Sequence, residues 1–517
     1  MSGEIKKLLP IGKSTFKTLI EENYLYVDKT QYALTLIQSG TYYFLSRPRR
    51  FGKSLFLDTL ATIFSGEKEL FKGLHIYDKH AFPKHPVIRI SFNDGLIRSK
   101  ADFDQYVYQM LDENQRHLQI SCPKDFNGAG CFKRLIEEAH QKYQTKVIIL
   151  IDEYDKPILD NIEKPDIATE LRDELKGFYS VIKGADQYIQ FVFMTGVSKF
   201  SKLSLFSGLN NLEDITLDKR YATICGYTQN DIETTFAAHL EGQDFNQIKT
   251  CYNVYKWLGE GVYNPFDILL FISKGFIFRN YWFSTGTPTF LLKILEKNQY
   301  FLPDLETVVA DDSLLNSFDV NHIQFETLMW QTGYLTISHT ETILDRIEYH
   351  LIIPNKEVQQ SLLGVIAQHL TQSANFVQLS NDVLRALLKL DFEALKNQLI
   401  ALYASIPYEH FTHSKMHLYE GYYVSVFYAY LKALGLELIA EDATSKGRID
   451  LTLKQPDATI VIEFKADGAT AEDALVQIKG KGYANKYLNN GKPVYAVGIG
   501  FDKEQRNIAN LAYQIVC

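Results

Sequence analysis

Short apolar stretches alternate with helical periodicity through the first half of the chain. Residues 41–46, 86–92, 146–151, 188–195 and 214–217 read as strands, with helical patterns such as 55–64 and 132–143 between them. Strands that are apolar on both faces and separated by helices predict a parallel sheet covered on each side. Residues 227–283 turn helical, with a break at Tyr263-Asn264-Pro265. Residues 285–405 stay mostly helical apart from a strand-like pair at 333–338 and 348–353. Beyond Ile406-Pro407 comes an aromatic-rich helix at 418–434, then strands at 437–441, 448–453 and 458–464, a helix at 471–487 and a strand at 494–501. That order predicts a compact mixed α/β module. Three segments follow: an α/β core at 1–225, a helical lid and connector at 226–405, and the mixed module at 406–517.

Composition narrows the classes of function. A chain of 517 residues suits three domains at roughly 150 residues each. Lys and Arg number 54 against 62 Asp and Glu, a net charge of -8, which excludes a surface that is basic all over. Any contact with nucleic acid is therefore expected in a local cleft. Five scattered cysteines without a C-x-x-C pair suggest neither a disulfide framework nor a structural zinc site, and a reducing cytoplasm fits. The first residues lack the apolar core of a secretory signal, and no run reaches the ~18 apolar residues of a membrane helix. A cytoplasmic protein without membrane attachment is the expectation.

The first candidate site follows the strand at 41–46. Arg47-Pro48-Arg49-Arg50-Phe51-Gly52-Lys53-Ser54 leads into a helix, and its end matches a Walker A phosphate loop, although Arg47 stands where the first glycine belongs. Gly52 permits a tight turn, and the helix N-terminus adds partial positive charge facing a phosphate. Lys53 would neutralise the β- and γ-phosphates, and the Ser54 hydroxyl would hold Mg²⁺. The buried strand at 146–151 ends in Asp152-Glu153, a Walker B arrangement in which Asp152 binds magnesium and Glu153 orients or deprotonates water. Thr195, at the next strand's end, is placed like a sensor of the γ-phosphate. Arg47, Arg49 and Arg50 either stabilise transition-state charge or hold the loop.

Several motifs together resemble the AAA-ATPase-like family: Leu9-Pro10-Ile11-Gly12, Tyr26-Val27-Asp28-Lys29-Thr30, the Arg47–Ser54 loop, Leu150-Ile151-Asp152-Glu153-Tyr154-Asp155-Lys156-Pro157, Phe206-Ser207-Gly208-Leu209-Asn210-Asn211-Leu212, Cys225-Gly226-Tyr227-Thr228 and Tyr263-Asn264-Pro265-Phe266. The resemblance spans about residues 5–285. It accounts for the arginine at the first loop position, and it implies ATP as ligand and a PD-(D/E)XK nuclease-like domain at the C-terminus.

Asp450 and the Glu463-Phe464-Lys465 triplet form D-x12-E-x-K, which is similar to that nuclease signature. Glu463 and Lys465 share a strand face because the pleat has period two. Pairing as a hairpin would bring Asp450 alongside, giving two carboxylates for Mg²⁺, with Mn²⁺ as the alternative ion, and a lysine to position water. The resemblance adds Glu420 on the aromatic helix and Gln477 of Gln477-Ile478-Lys479-Gly480-Lys481-Gly482-Tyr483 near the metal, while Val424 departs from an expected histidine.

The expected fold is thus α/β: a P-loop NTPase parallel sheet with helical lid and connector, then a restriction-endonuclease-like mixed domain. The leading function is an ATP-regulated, metal-dependent nuclease acting on nucleic acid, DNA first, in defence or mobile-element control. The alternative is a regulatory ATPase or nucleotide-gated scaffold whose C-terminal domain only binds. A homo-oligomer is a further expectation. Lys465, Lys479, Lys481, Lys486 and Lys492 are balanced by acids, so the grip on nucleic acid is expected at the metal cleft and the lysines of the Gln477 helix.

Overall fold

The computed structural model describes residues 6–123, 125–199, 211–285, 289–298, 300–316, 323–372, 375–406, 420–466, 468–502 and 504–516. The chain forms two compact units, Met1–Leu291 with Val308–Asn355, and Leu292–Thr307 with Lys356–Cys517. The segment 226–405 is therefore shared between the units. Helix Lys356–Thr371 packs against helix Glu420–Ala433, and the Glu306 carboxylate accepts from Tyr428 Oη at 2.7 Å and pairs with Lys432. These contacts draw helical residues of the expected connector into the C-terminal unit. Residues 206–210 of the quoted 206–212 motif lie outside the described residues.

The first unit is built on β1 (Tyr42–Ser46), β2 (Val87–Ser91), β3 (Val147–Asp152), β4 (Ile189–Gly196) and the short β5 (Glu213–Asp214). Their order is β2-β3-β4-β1-β5 and every pairing is parallel. All six residues of β3 are buried. Each large apolar side chain there gains about 1.5–3 kcal/mol on burial, enough to fix the strand although it ends on an acid. Because β4 lies between β1 and β3, the loop after β1 and the acids after β3 emerge at the same sheet edge, flanking the end of β4. Helices Gln229–Thr234, Phe245–Tyr252 and Pro265–Ser273 form a further core, with Ile232, Tyr252 and Phe271 fully buried.

Two features differ from the expectations. Cys122, in the loop after helix Lys100–Leu118, forms a disulfide with Cys131 of helix Gly128–Tyr143; their nine-residue separation matches no motif that flags them. The strand-like pair is longer than its apolar portion and belongs to a three-stranded antiparallel sheet. Its strands β6 (Val308–Ala310), β7 (Thr336–Ile343) and β8 (Arg346–Ile352) run in the order β6-β8-β7. The outer part of β7 is exposed and carries His, Thr and Glu, so hydrophobic alternation gave no sign of it.

The C-terminal unit has β9 (Glu437–Thr444), β10 (Gly447–Lys454), β11 (Thr459–Lys465), β12 (Val494–Asp502) and β13 (Asn507–Ile515) in the order β13-β12-β11-β10-β9. Only β11 and β12 pair in parallel, and the connection between them contains helix Ala471–Lys481. The helix expected over 471–487 breaks at Gly482, whose φ of 61° is left-handed, and resumes as a 3-10 turn at Tyr483–Tyr487. Glycine accepts that conformation without a Cβ penalty. Among the described residues, no helix is long and apolar enough to cross a membrane.

Gly498 of β12 lies beside Glu463 in the register, and a Cβ there would strike the Ala471 carbonyl at the start of that helix. Gly498→Ala is expected to push the helix off the sheet and destabilise the C-terminal unit by about 1–3 kcal/mol. Urea unfolding followed by circular dichroism measures this; an unchanged midpoint would contradict the packing.

Candidate functional site

In the first unit the loop after β1 is held open by interactions that its sequence dictates. Gly52 takes φ 94° and caps helix Lys53–Phe64, with nothing within 4 Å of the place a Cβ would occupy. The left-handed backbone, rather than crowding, therefore demands glycine. Phe51 is buried edge-on between Tyr255 and Trp257, and its carbonyl accepts from the Gly226 amide at 3.0 Å. Lys53 is also buried, and its Nζ donates to the Arg47 and Pro48 carbonyls at 3.0 and 3.1 Å.

Arg47 is turned into the core. It is fully buried, donates through Nη1 to the Ser46 and Thr216 carbonyls at 2.8 and 3.0 Å and through Nη2 to Tyr221 at 3.2 Å, and stacks over Trp257 at 4.2 Å. Burial pulls its pKa down to about 10, which leaves it a cation at neutral pH. Of the two roles left open for it, loop support is the one this geometry serves. Arg49 and Arg50 are exposed.

A cavity of about 640 Å³ opens over this loop, lined by Arg49, Arg50, Phe51, Gly52, Lys53 and Ser54 and, across from them, Asn93 and Glu153. That volume suits a nucleotide-sized ligand, and a helix N-terminus with a lysine and a hydroxyl is chemistry suited to a phosphate. Asp152 lies behind the lining. Its Oδ2 accepts from Asn93 Nδ2 at 3.0 Å and its Oδ1 from the Glu153 amide at 3.1 Å. Glu153 sits at φ 48°, a strained conformation for a non-glycine residue that turns the chain sharply after β3. Asp155 is fully buried and accepts from the Val197 and Ser198 amides and the Ser198 hydroxyl. Burial pushes it up to about 6, against the pull of the Ser198 hydrogen bonds. Pro48 and Thr195 do not line the cavity; Thr195, at the end of β4, is fully buried and its Oγ1 has no hydrogen-bond partner.

In the C-terminal unit the ladder between β10 and β11 ends at Leu451↔Ile462, one residue short of Asp450 and Glu463. Where the strands part, Asp450 Oδ2 turns to accept from the Phe464 amide at 2.7 Å. Lys465 Nζ donates to Glu463 Oε1 at 3.3 Å and to the Phe464 carbonyl at 2.9 Å. Gln477 donates its side-chain amide to the same Glu463 oxygen. Asp450, Glu463, Lys465 and Gln477 are thus brought together, as their sequence positions predict. Glu420 begins helix Glu420–Ala433, but its side chain lies outside the described residues.

Three residues that bear on these sites were missed or misjudged from sequence. Asn93 was invisible because a lone Asn after a strand carries no motif. Tyr483 stands in the sequence only as the last residue of the Gln477–Tyr483 run; burial pushes its phenol up, a hydrogen bond with Gln477 opposes this, and Glu463 and Asp450 raise it further. Gly447 faces it, since a Cβ there would meet the Tyr483 hydroxyl at 2.7 Å. Lys486, expected to grip nucleic acid, pairs with the buried Asp442, whereas Lys479 and Lys481 are exposed.

Comparison with known proteins bears on the two domains. Residues 10–206 match the family described as predicted AAA-ATPase, and residues 418–511 match the PD-(D/E)XK nuclease superfamily. A protein of Azotobacter chroococcum mcd 1, described as an uncharacterized protein in the vnfD 5' region, is 47% identical over 513 residues, covering 98% of this chain and 99% of its own length. No solved structure matches.

The two loop cations should separate in experiment. Arg47→Ala strands three carbonyl partners in the core, and at about 1.5–3 kcal/mol per charged hydrogen bond a loss of roughly 3 kcal/mol or more is expected in urea unfolding. Lys53→Ala should abolish nucleotide binding in calorimetry with a smaller change in stability. Equal stability of Arg47→Ala and the parent chain would contradict the clamp.

Proposed function

The chain belongs to the family of predicted AAA-ATPases, with a PD-(D/E)XK nuclease superfamily domain at its C-terminus, and we propose that it is a nuclease regulated by ATP. The observation that carries this reading is the convergence of Asp450, Glu463 and Lys465 where β10 and β11 part. Two acids and a lysine so placed suit phosphodiester hydrolysis with DNA as the first substrate class.

In the nucleotide site, Lys53 would exchange its loop carbonyls for the β- and γ-phosphates, Ser54 and Asp152 would hold Mg²⁺, and Glu153 would orient the attacking water. Asn93 fixes the Asp152 carboxylate. In the C-terminal site Asp450 and Glu463 hold Mg²⁺, with Mn²⁺ as a substitute; two carboxylates are a donor set that a hard, oxygen-preferring cation accepts. A divalent ion bound there supplies Lewis acidity and lowers the pKa of bound water. Gln477 orients Glu463, and Lys465 is placed beside it to neutralise charge on phosphate. With an overall charge of -8, the hold on DNA rests on a few cations such as Lys479 and Lys481 and weakens steeply with salt.

Plasmid and oligonucleotide digestion with Mg²⁺ or Mn²⁺, with and without ATP, tests this. The intact chain should cut, and Asp450→Ala and Lys465→Ala should lose at least a hundredfold in rate. Glu153→Gln should bind ATP without turning it over. If the intact chain cuts neither DNA nor RNA under any of these conditions, the nuclease reading fails and a regulatory ATPase remains.

A further inference from the structure

The β7–β8 hairpin carries a set of donors that neither site uses. In the register His339 lies opposite His350, and Glu341 lies opposite Glu348. Residues two apart on a strand share a face, so H-x-E on one strand meets E-x-H on the other. The His339 and His350 rings stack with centroids 4.2 Å apart and planes 9° from parallel. The Glu341 carboxylate spans the edge of this stack, one oxygen 3.7 Å from His339 Nε2 and the other 3.8 Å from His350 Nε2. Two carboxylates directly opposed across a ladder destabilise it when nothing lies between them, and this face stacks two imidazoles beside that pair.

The hydrogen bonds around the pair fix which nitrogen is available. The Ser338 hydroxyl donates its one proton to the His350 carbonyl at 2.9 Å. Its contact with His339 Nδ1 at 2.9 Å must then be an acceptance, so Nδ1 carries the proton. In the neutral ring that leaves Nε2, 3.7 Å from the Glu341 carboxylate, as the lone-pair nitrogen. Metal-binding histidines are oriented in this way, the second ring nitrogen donating to a fixed acceptor. His350 Nε2 is buried and has no hydrogen-bond partner.

We propose that His339, Glu341 and His350 form a binding site for a zinc-class divalent cation on the β7–β8 hairpin, with the fourth position left to water or to Glu348. The donor atoms of the three residues lie within 4.8 Å of one another. A tetrahedral ion with bonds of about 2.0–2.1 Å holds its donors roughly 3.3 Å apart, so side-chain rotation closes the set without moving the backbone. Two imidazoles select zinc, copper, nickel or cobalt over magnesium, which prefers oxygen. The hairpin thus takes a class of metal different from that of the carboxylate sites, and holds the two strands together where their side chains are exposed.

Zinc titration of the full-length chain, followed by calorimetry and elemental analysis with Mg²⁺ in excess to occupy the oxygen-rich sites, tests the proposal. The parent chain should bind one zinc equivalent more than His350→Ala or His339→Gln, and Ser338→Ala should bind it about tenfold more weakly. Far-UV circular dichroism confirms that the variants fold; His339 is exposed, so its replacement leaves the core intact. Equal stoichiometry and affinity in the parent and both histidine variants would overturn the site. So would the absence of zinc uptake by the parent chain.

Discussion

Both candidate sites depend on a carboxylate held at the point where a buried strand stops pairing. Within the ladder, backbone amides are committed to neighbouring strands, and side chains face packed layers. One residue beyond it, amides come free to orient acids. Asp450 uses the Phe464 amide in this way where β10 and β11 separate. Asp152, at the last position of β3, uses the amide of Glu153 and the side chain of Asn93. Burial of the strand supplies the energy, and the end of the ladder supplies the geometry.

The surrounding residues keep that geometry stiff. Arg47 ties the end of β1 to Thr216 and Tyr221 from inside the core, so the loop that presents Lys53 does not rely on a ligand for its shape. Gly498 plays the corresponding part in the other unit, letting helix Ala471–Lys481 come close enough for Gln477 to reach Glu463. A cation and a glycine serve the same purpose here: each removes a degree of freedom beside a reactive group. Such preorganisation is what lets charged groups act without rearranging.

Much of this was legible in the sequence. The apolar runs located β1 to β4 because a strand buried on both faces writes its burial directly into composition. The D-x12-E-x-K spacing located the C-terminal acids because the pleat fixes which side chains share a face. What stayed hidden depends on contacts distant in sequence or on polar surfaces. Asn93 and Asp152 meet only across the sheet. The role of Arg47 rests on carbonyls about 170 residues away. The Cys122–Cys131 bond depends on how a loop returns to a helix, and the outer half of β7 carries a face of His and Glu that reads as solvated loop.

The central claim is that two separate carboxylate sites each hold a divalent ion, one with nucleotide and one without. The most direct measurement is anomalous diffraction from crystals grown with Mn²⁺ and a non-hydrolysable ATP analogue. The account predicts one manganese peak at Ser54 and Asp152 beside the triphosphate, and another between Asp450 and Glu463. A bound analogue lying away from Lys53, or an absence of manganese at Asp450 and Glu463, would contradict it.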